Sequence, residues 1–197
     1  MFTIRHFVVL GSVLCVSAAG TLARDNPGAQ DNADLMSVLL AQGNPDHKAM
    51  ANHRLTAESL RHTFAVDREL LKLIQETPEW EERAGELQRR FDPQRRGGMV
   101  SIGAKVYEAI PETKQILQRN GISGREYMLT SLVAMVTQMA DEALSQEAPG
   151  RDGGNEVPKE LMTPALKFWR EMDPALKAEA AEWKKVREEM MRAGASK

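Results

Sequence analysis

The chain has little cysteine and little excess charge. Its 197 residues include one cysteine, Cys15, and the formal net charge is −2. A disulfide framework and a cysteine-rich metal site are therefore excluded. The nearly balanced charge gives no electrostatic reason to expect nucleic acid or an anionic membrane as a partner.

Common catalytic and cofactor motifs are also absent from the sequence. There is no G-x-S-x-G elbow, no H-E-x-x-H zinc motif and no C-x-x-C-H haem attachment site. The glycine pairs at 97–98 and 153–154 match neither a Walker A loop nor a dinucleotide fingerprint, so ordinary turns are expected there. We predict no cofactor and favour a non-enzymatic role, with an enzyme as an alternative.

Residues 1–23 have the pattern of a secretory signal peptide. Arg5 precedes an apolar run over 7–16, and small residues follow it. Cleavage after Ala19 or after Ala23 fits the small-residue rule. We therefore predict a periplasmic or secreted protein with no transmembrane segment in its mature chain; an uncleaved anchor is the alternative.

The rest of the chain is long enough for one domain with a hydrophobic core. Helix formers are abundant and aromatic residues make up only 5% of the chain, so an all-α fold is expected. Residues 24–54 are polar and predict a flexible N-terminal segment with a short helix at 34–42. Residues 55–193 predict a single-domain bundle of about five or six helices around a central apolar helix at 124–146.

The central helix has the clearest signature. Ser123 and Glu126 have the spacing of a capping box, and Gly121 can end the preceding helix in a left-handed conformation. From Tyr127 to Ala140 no residue is charged; one face is apolar and the other holds small residues. This pattern predicts a helix packed on both sides. The uncharged run is shorter than the roughly 20 residues that span a bilayer.

Capping signals predict the starts of other helices. Thr56 and Ser101 are expected to be N-caps. Thr77-Pro78, Thr163-Pro164 and Asp173-Pro174 each place a cap before a proline at the first helical position. The loop at 148–157 is expected to be exposed.

Asp67 is the main anomaly in the predicted core. On a helical wheel it lies between Phe64 and Leu71, near the middle of the apolar face of the helix predicted at 56–76. A carboxylate there needs an ion-pair or hydrogen-bond partner, or must be protonated. One interpretation is a structural pair with Arg125 or another arginine; the other is a ligand-binding or proton-handling acid.

Methionines on the central helix extend this candidate binding site. Methionine adapts well to binding surfaces, although a core stripe explains these residues without any ligand. The predicted binding residues are Asp67, Arg125, Tyr127, Met135 and Met139.

A second candidate site is the H-x-x-M-x-x-H pattern of His47, Met50 and His53. Imidazole and thioether ligands together suit copper, and thioether favours Cu(I). The pattern follows Asn44-Pro45 in a polar segment, however, so solvated linker histidines are the preferred interpretation.

Two resemblances accompany these patterns. The stretch GISGREYMLTSLVAM resembles an uncharacterised group of secreted helical bacterial proteins in which a glycine, a capping Ser or Thr and an Arg-Glu-aromatic triplet open a core helix. It implies no activity, and is carried by Gly121, Ser123, Arg125, Glu126 and Tyr127. The stretch Leu55-Thr56-Ala57-Glu58-Ser59 resembles the LTxxQ motif of periplasmic chaperones, with Ser59 in place of the glutamine. This second resemblance implies a helical, methionine-rich stress protein.

Three hypotheses follow. The first is a non-enzymatic periplasmic or secreted bundle that binds a protein or a small ligand. The second is a periplasmic chaperone or metal-stress protein, based on the methionines and the His47, Met50 and His53 pattern. The third is a bundle enzyme with Asp67 and Arg125 in a pocket.

Overall fold

The computed structural model describes residues 46–92, 98–146 and 163–195, and every regular element within these ranges is a helix. The predicted all-α bundle is thus confirmed. The eight helices of the described part are α1 His47–Asn52, α2 Ala57–Glu76, α3 Trp80–Phe91, α4 Met99–Ala109, α5 Pro111–Arg119, α6 Gly124–Gln146, α7 Pro164–Glu171 and α8 Pro174–Ala195. The number exceeds five or six because several short helices count separately.

Several predictions concern residues outside these ranges. The signal peptide, the helix at 34–42 and the loop at 148–157 lie outside the described residues. The described end of the N-terminal segment holds α1, and Met50 within α1 and Leu55 just after it belong to the hydrophobic core. Among the described helices, none is long and apolar enough to cross a membrane.

Helix α6 is the centre of the bundle, as its pattern predicts. It packs against α1, α2, α4, α5 and α7, while α2 also packs along α8. Its apolar face is buried, and Thr130, Ser131 and Ala134 on its small-residue face are each 0% exposed. Small side chains on that face let neighbouring helices approach closely, so α6 is enclosed on both sides.

The turn before α6 has the predicted left-handed glycine. Gly121 has a φ of 65°. Its N–H donates to the carbonyl of Gln118, and the N–H of Ile122 donates to that of Leu117. These two bonds form a Schellman motif, which satisfies the last carbonyls of α5 and redirects the chain. Ser123 then accepts from the N–H of Glu126 at 3.1 Å, as expected of the cap.

Three of the other predicted caps are confirmed. Thr56 caps α2, Thr163 caps α7, and Asp173 accepts from the N–H of Leu176 in α8. Two helix starts, those of α3 and α4, differ from the prediction. Pro78 lies in a turn and α3 begins at Trp80.

Helix α4 starts before Ser101 because a distant side chain caps it. It begins at Met99, and the carboxylate of Asp46 accepts the N–H of Val100 at 2.8 Å. A carboxylate suits this position because it satisfies a free N–H and the positive end of the helix dipole. The cap is invisible to local sequence patterns because it comes from 54 residues away.

Candidate functional site

Asp67 lies on α2 at the junction with α6 and α8, and it is 0% exposed. Tyr127 on α6 donates its hydroxyl to Oδ1 of Asp67. Trp183 on α8 donates its indole N–H to Oδ2 at 2.6 Å. Each oxygen of the carboxylate therefore has a donor from a different helix, which offsets the cost of its burial.

Aromatic rings surround this carboxylate. Phe64 stacks on Trp183 with ring centroids 4.9 Å apart, and Tyr107 meets Tyr127 edge-on at 5.2 Å. Burial, and then the negative charge of Asp67, raise the pKa of Tyr107 well above its ordinary value. Tyr107 is therefore neutral at any physiological pH, and the aromatic shell keeps water away from the carboxylate.

Arg187 on α8 supplies a buried positive charge, with only 6% of the residue exposed. Its guanidinium lies 4.7 Å from the ring centroid of Trp183, a cation–π contact. It also donates to Oγ of Ser131 at 3.2 Å and contacts Sδ of Met135 at 3.1 Å. The same tryptophan thus holds the carboxylate through its N–H and the arginine through its face.

Of the arginines predicted to pair with Asp67, Arg125 is not its partner, while a pair with another arginine stays a prediction. Arg125 is exposed in the first turn of α6, whereas Asp67 is enclosed and hydrogen-bonded to Tyr127 and Trp183. The burial of Asp67 and the exposure of Arg125 disfavour the pocket that the enzyme hypothesis requires.

Sequence reasoning missed Arg187, although a signal existed. Leu176, Ala180, Trp183 and Met190 recur at spacings of four, three and seven residues along α8. Arg187 fills the missing position of that register, four residues after Trp183. An arginine at a core position of a helix, like an aspartate, signals a buried polar contact.

The geometry around Asp67 is that of a clamp between helices. Tyr127, a predicted binding residue, is buried against it. Met135 is buried and contacts Arg187, and Met139 is partly buried against the core. A solute reaches the carboxylate only if α2, α6 and α8 separate. The arrangement therefore fits the structural interpretation of Asp67 better than direct contact with a ligand.

The histidine and methionine pattern is divided by the end of α1. His47 begins α1, and its side chain lies outside the described part; Met50 is in the core. His53 follows α1 with extended backbone, and its Nε2 lies 3.0 Å from Oγ1 of Thr130. The side chain of His53 is 9% exposed, so for this residue the expectation of a solvated linker is wrong.

The environment of His53 disfavours its charged form. Burial lowers its pKa, and the carboxylate of Glu126, 3.9 Å from Nε2, opposes that effect in part. Neutral His53 is thus held against α6. In the described residues, no cluster of three or more His, Cys, Asp or Glu side chains is placed to hold a metal ion.

A cleft of about 450 Å³ lies between α6, α7 and α8. Its lining divides into two parts, which we call the apolar lining and the polar lining. The apolar lining is Trp169, Met172, Ala180 and Ala181. The polar lining is Gln138, Asp141, Glu142, Arg170, Lys177 and Lys184. The cleft thus combines apolar surface with six polar side chains, five of which are charged.

Two ion pairs join the helices across the cleft. Arg170 contacts Asp141 at 2.6 Å, and Lys184 contacts Glu142 at 2.8 Å. Partial burial acts to raise the pKa of Glu142, but hydrogen bonds from Lys184 and Gln138 outweigh it and hold that pKa below its ordinary value. Glu142 is therefore ionised at neutral pH, and its charge cancels that of Lys184.

The cleft does not involve the binding residues predicted from the sequence. None of Asp67, Arg125, Tyr127, Met135 and Met139 is among its lining residues. Trp169 and Met172 belong to the core, but the space beside them depends on how α7 and α8 meet α6. No spacing within one helix could have revealed it.

Comparison of the chain with protein-family models, with curated proteins and with solved structures found no match. The two resemblances noted in the sequence remain predictions.

Proposed function

We propose that the protein is a non-enzymatic, periplasmic or secreted helical bundle that binds a small ligand in the cleft between α6, α7 and α8. The observation that carries the proposal is the cleft itself. Its volume of about 450 Å³ lies within the range of roughly 300 to 1,000 Å³ that is usual for small-molecule pockets. Its apolar lining is accompanied by charged groups that can orient a ligand.

The enclosure of Asp67 supports a binding role over a catalytic one. Catalytic acids need contact with the reacting atoms, and Asp67 is enclosed by Tyr127 and Trp183 instead. The charges beside the cleft are largely engaged in ion pairs between helices. Such pairs position helices and shape a site without supplying a general base.

Native mass spectrometry of the protein purified from its own secretion compartment tests the proposal. We expect a bound mass that leaves on mild unfolding. Ala181→Phe should abolish it, because Ala181 is an exposed cleft residue and the larger ring fills the space. Ala178→Phe is the matched control, since Ala178 is exposed on the same helix but does not line the cleft. A bound mass that survives Ala181→Phe would place binding elsewhere and contradict the proposal.

The secreted location has its own test. Cell fractionation with intact-mass measurement should find a mature chain beginning after Ala19 or after Ala23 outside the cytoplasm. A full-length chain retained in the cytoplasm would overturn this part of the proposal, whatever the cleft binds.

A further inference from the structure

The charges that line the cleft do not cancel. The polar lining holds three cationic side chains, Arg170, Lys177 and Lys184, against two acidic ones, Asp141 and Glu142. Arg170 and Lys184 are each paired with one of the acids. Among the described residues that line the cleft, one positive charge, that of Lys177, is left over.

Lys177 has hydrogen-bonding capacity beyond its present contact. Its ammonium donates to the carbonyl of Arg170 at 2.9 Å, near the end of α7. No acidic side chain pairs with it among the described residues. An ammonium carries three donors, so two remain for another acceptor. The contact to the carbonyl also holds the ammonium at the cleft.

The apolar lining lies beside this charge. Trp169, Met172 and Ala180 are otherwise buried in the core, and the apolar atoms that they expose to the cleft favour hydrocarbon over water. A ligand that satisfies both parts of the cleft needs an apolar body and a single negative group. A dianion would exceed the uncompensated charge, and a cation would be repelled by it.

We infer that the ligand of the cleft is a small amphipathic monocarboxylate, whose apolar body packs on Trp169 and Met172 and whose carboxylate accepts hydrogen bonds from Lys177. This inference rests on the proposed function and specifies its ligand class. The ion pairs of Arg170 and Lys184 stay intact on binding, so the carboxylate adds to the cleft without displacing an acid.

Calorimetric titration of the full mature protein with three probes of equal chain length tests the inference. The probes are octanoate, octanol and octylammonium. We expect octanoate to bind most tightly, octanol more weakly and octylammonium weakest. Because Lys177 is exposed, its contribution is moderate: Lys177→Gln should weaken octanoate binding roughly fivefold and leave octanol unchanged. The preference for octanoate should shrink with added salt.

Lys167→Gln is the matched control for charge. Lys167 is exposed on α7 and does not line the cleft, so its loss should leave octanoate affinity unchanged. Circular dichroism melting of both variants checks that the fold is intact. Ala181→Phe should abolish the binding of octanoate and octanol alike.

The results separate this inference from the proposed function. Equal binding of octanoate and octylammonium, or no effect of Lys177→Gln, would overturn the monocarboxylate; if Ala181→Phe still abolishes binding, the cleft stands as a binding site. Failure of every probe to bind would also overturn the monocarboxylate, while the bound mass seen by native mass spectrometry decides the cleft independently.

Discussion

The indole N–H of Trp183 donates to the carboxylate of Asp67 at 2.6 Å and joins residues 116 positions apart. Tyr127 engages the other oxygen of that carboxylate. A single side chain thus sets the register of α2, α6 and α8. Two of these helices, α6 and α8, also carry most of the polar lining of the cleft. The buried clamp therefore fixes the position of Glu142 on α6 relative to Lys184 on α8. Lys184 is the residue that follows Trp183.

Replacing Asp67 should destabilise the protein through its partners more than through the lost side chain. Asp67→Ala leaves the hydroxyl of Tyr127 and the indole N–H of Trp183 buried without their acceptor. Each donor left in this way costs about 1 to 3 kcal/mol of stability. Asp67→Asn should cost less, because its amide oxygen still accepts from Trp183 and its NH₂ can donate to Tyr127. Urea unfolding of the native protein, Asp67→Asn and Asp67→Ala measures their order of stability.

The opposite order would contradict the structural role of Asp67. If Asp67→Ala is as stable as the native protein and instead loses ligand binding, the carboxylate serves a ligand. Trp183→Phe is a useful companion variant, because it keeps a ring against Phe64 but removes the donor to Asp67.

The fold could be predicted from the sequence where the signal is local. The limits of α6 and the left-handed Gly121 follow from residues within a few positions of each other, and both are found as expected. Cap-and-proline pairs succeed at Thr163 and Asp173 for the same reason. Helical periodicity also placed Asp67 in the core. Each of these is fixed by the backbone geometry of a single helix.

The candidate site could not be predicted because its contacts are not local. Periodicity shows that Asp67 needs partners but not which ones: arginine, tyrosine and tryptophan are all adequate donors. Only the packing of α6 and α8 selects Tyr127 and Trp183 over Arg125. Asp46, which caps α4, was likewise hidden in a segment expected to be flexible.

Gly121→Ala should destabilise the protein by about 1 kcal/mol. The positive φ of 65° at this position puts a Cβ too close to the backbone. Gly121→Asn should cost less, since asparagine tolerates the left-handed region better than alanine does. Chemical denaturation of both variants measures the difference. Equal stability of the two variants would show that the turn has another conformation in solution.

Asp46 and Gly98 should behave as a coupled pair. Removal of the cap to Val100 by Asp46→Ala should cost about 1 kcal/mol. A Cβ on Gly98 would lie 2.5 Å from Oδ1 of Asp46, so Gly98→Ala should displace the same carboxylate. The double variant should therefore cost less than the sum of the single ones. A double-mutant cycle by urea unfolding tests this, and strict additivity would mean that the two residues do not meet.

Acidification should weaken the attachment of His53 to α6. Burial lowers the pKa of folded His53 below its ordinary value of 6.5, so the unfolded chain binds the proton more readily. The stability that neutral His53 contributes is fully present above pH 6.5, the ordinary pKa. It is lost as the pH falls from that value towards the pKa of His53 in the folded protein. The free energy of unfolding should consequently decrease between about pH 7.5 and 5.5, above the range in which carboxylates titrate.

Three variants isolate the effect of His53 in denaturant titrations at those two pH values. His53→Asn should remove this part of the pH dependence, whereas His62→Asn, the control, should retain it. Glu126→Gln should enlarge the dependence, because the negative charge of Glu126 is what partly supports the protonated ring. If His53→Asn keeps the full pH dependence, another group is responsible. If stability instead rises on acidification and Glu126→Gln diminishes that rise, the charged form of His53 is the stabilising one, and acid strengthens the contact between α1 and α6 rather than weakening it.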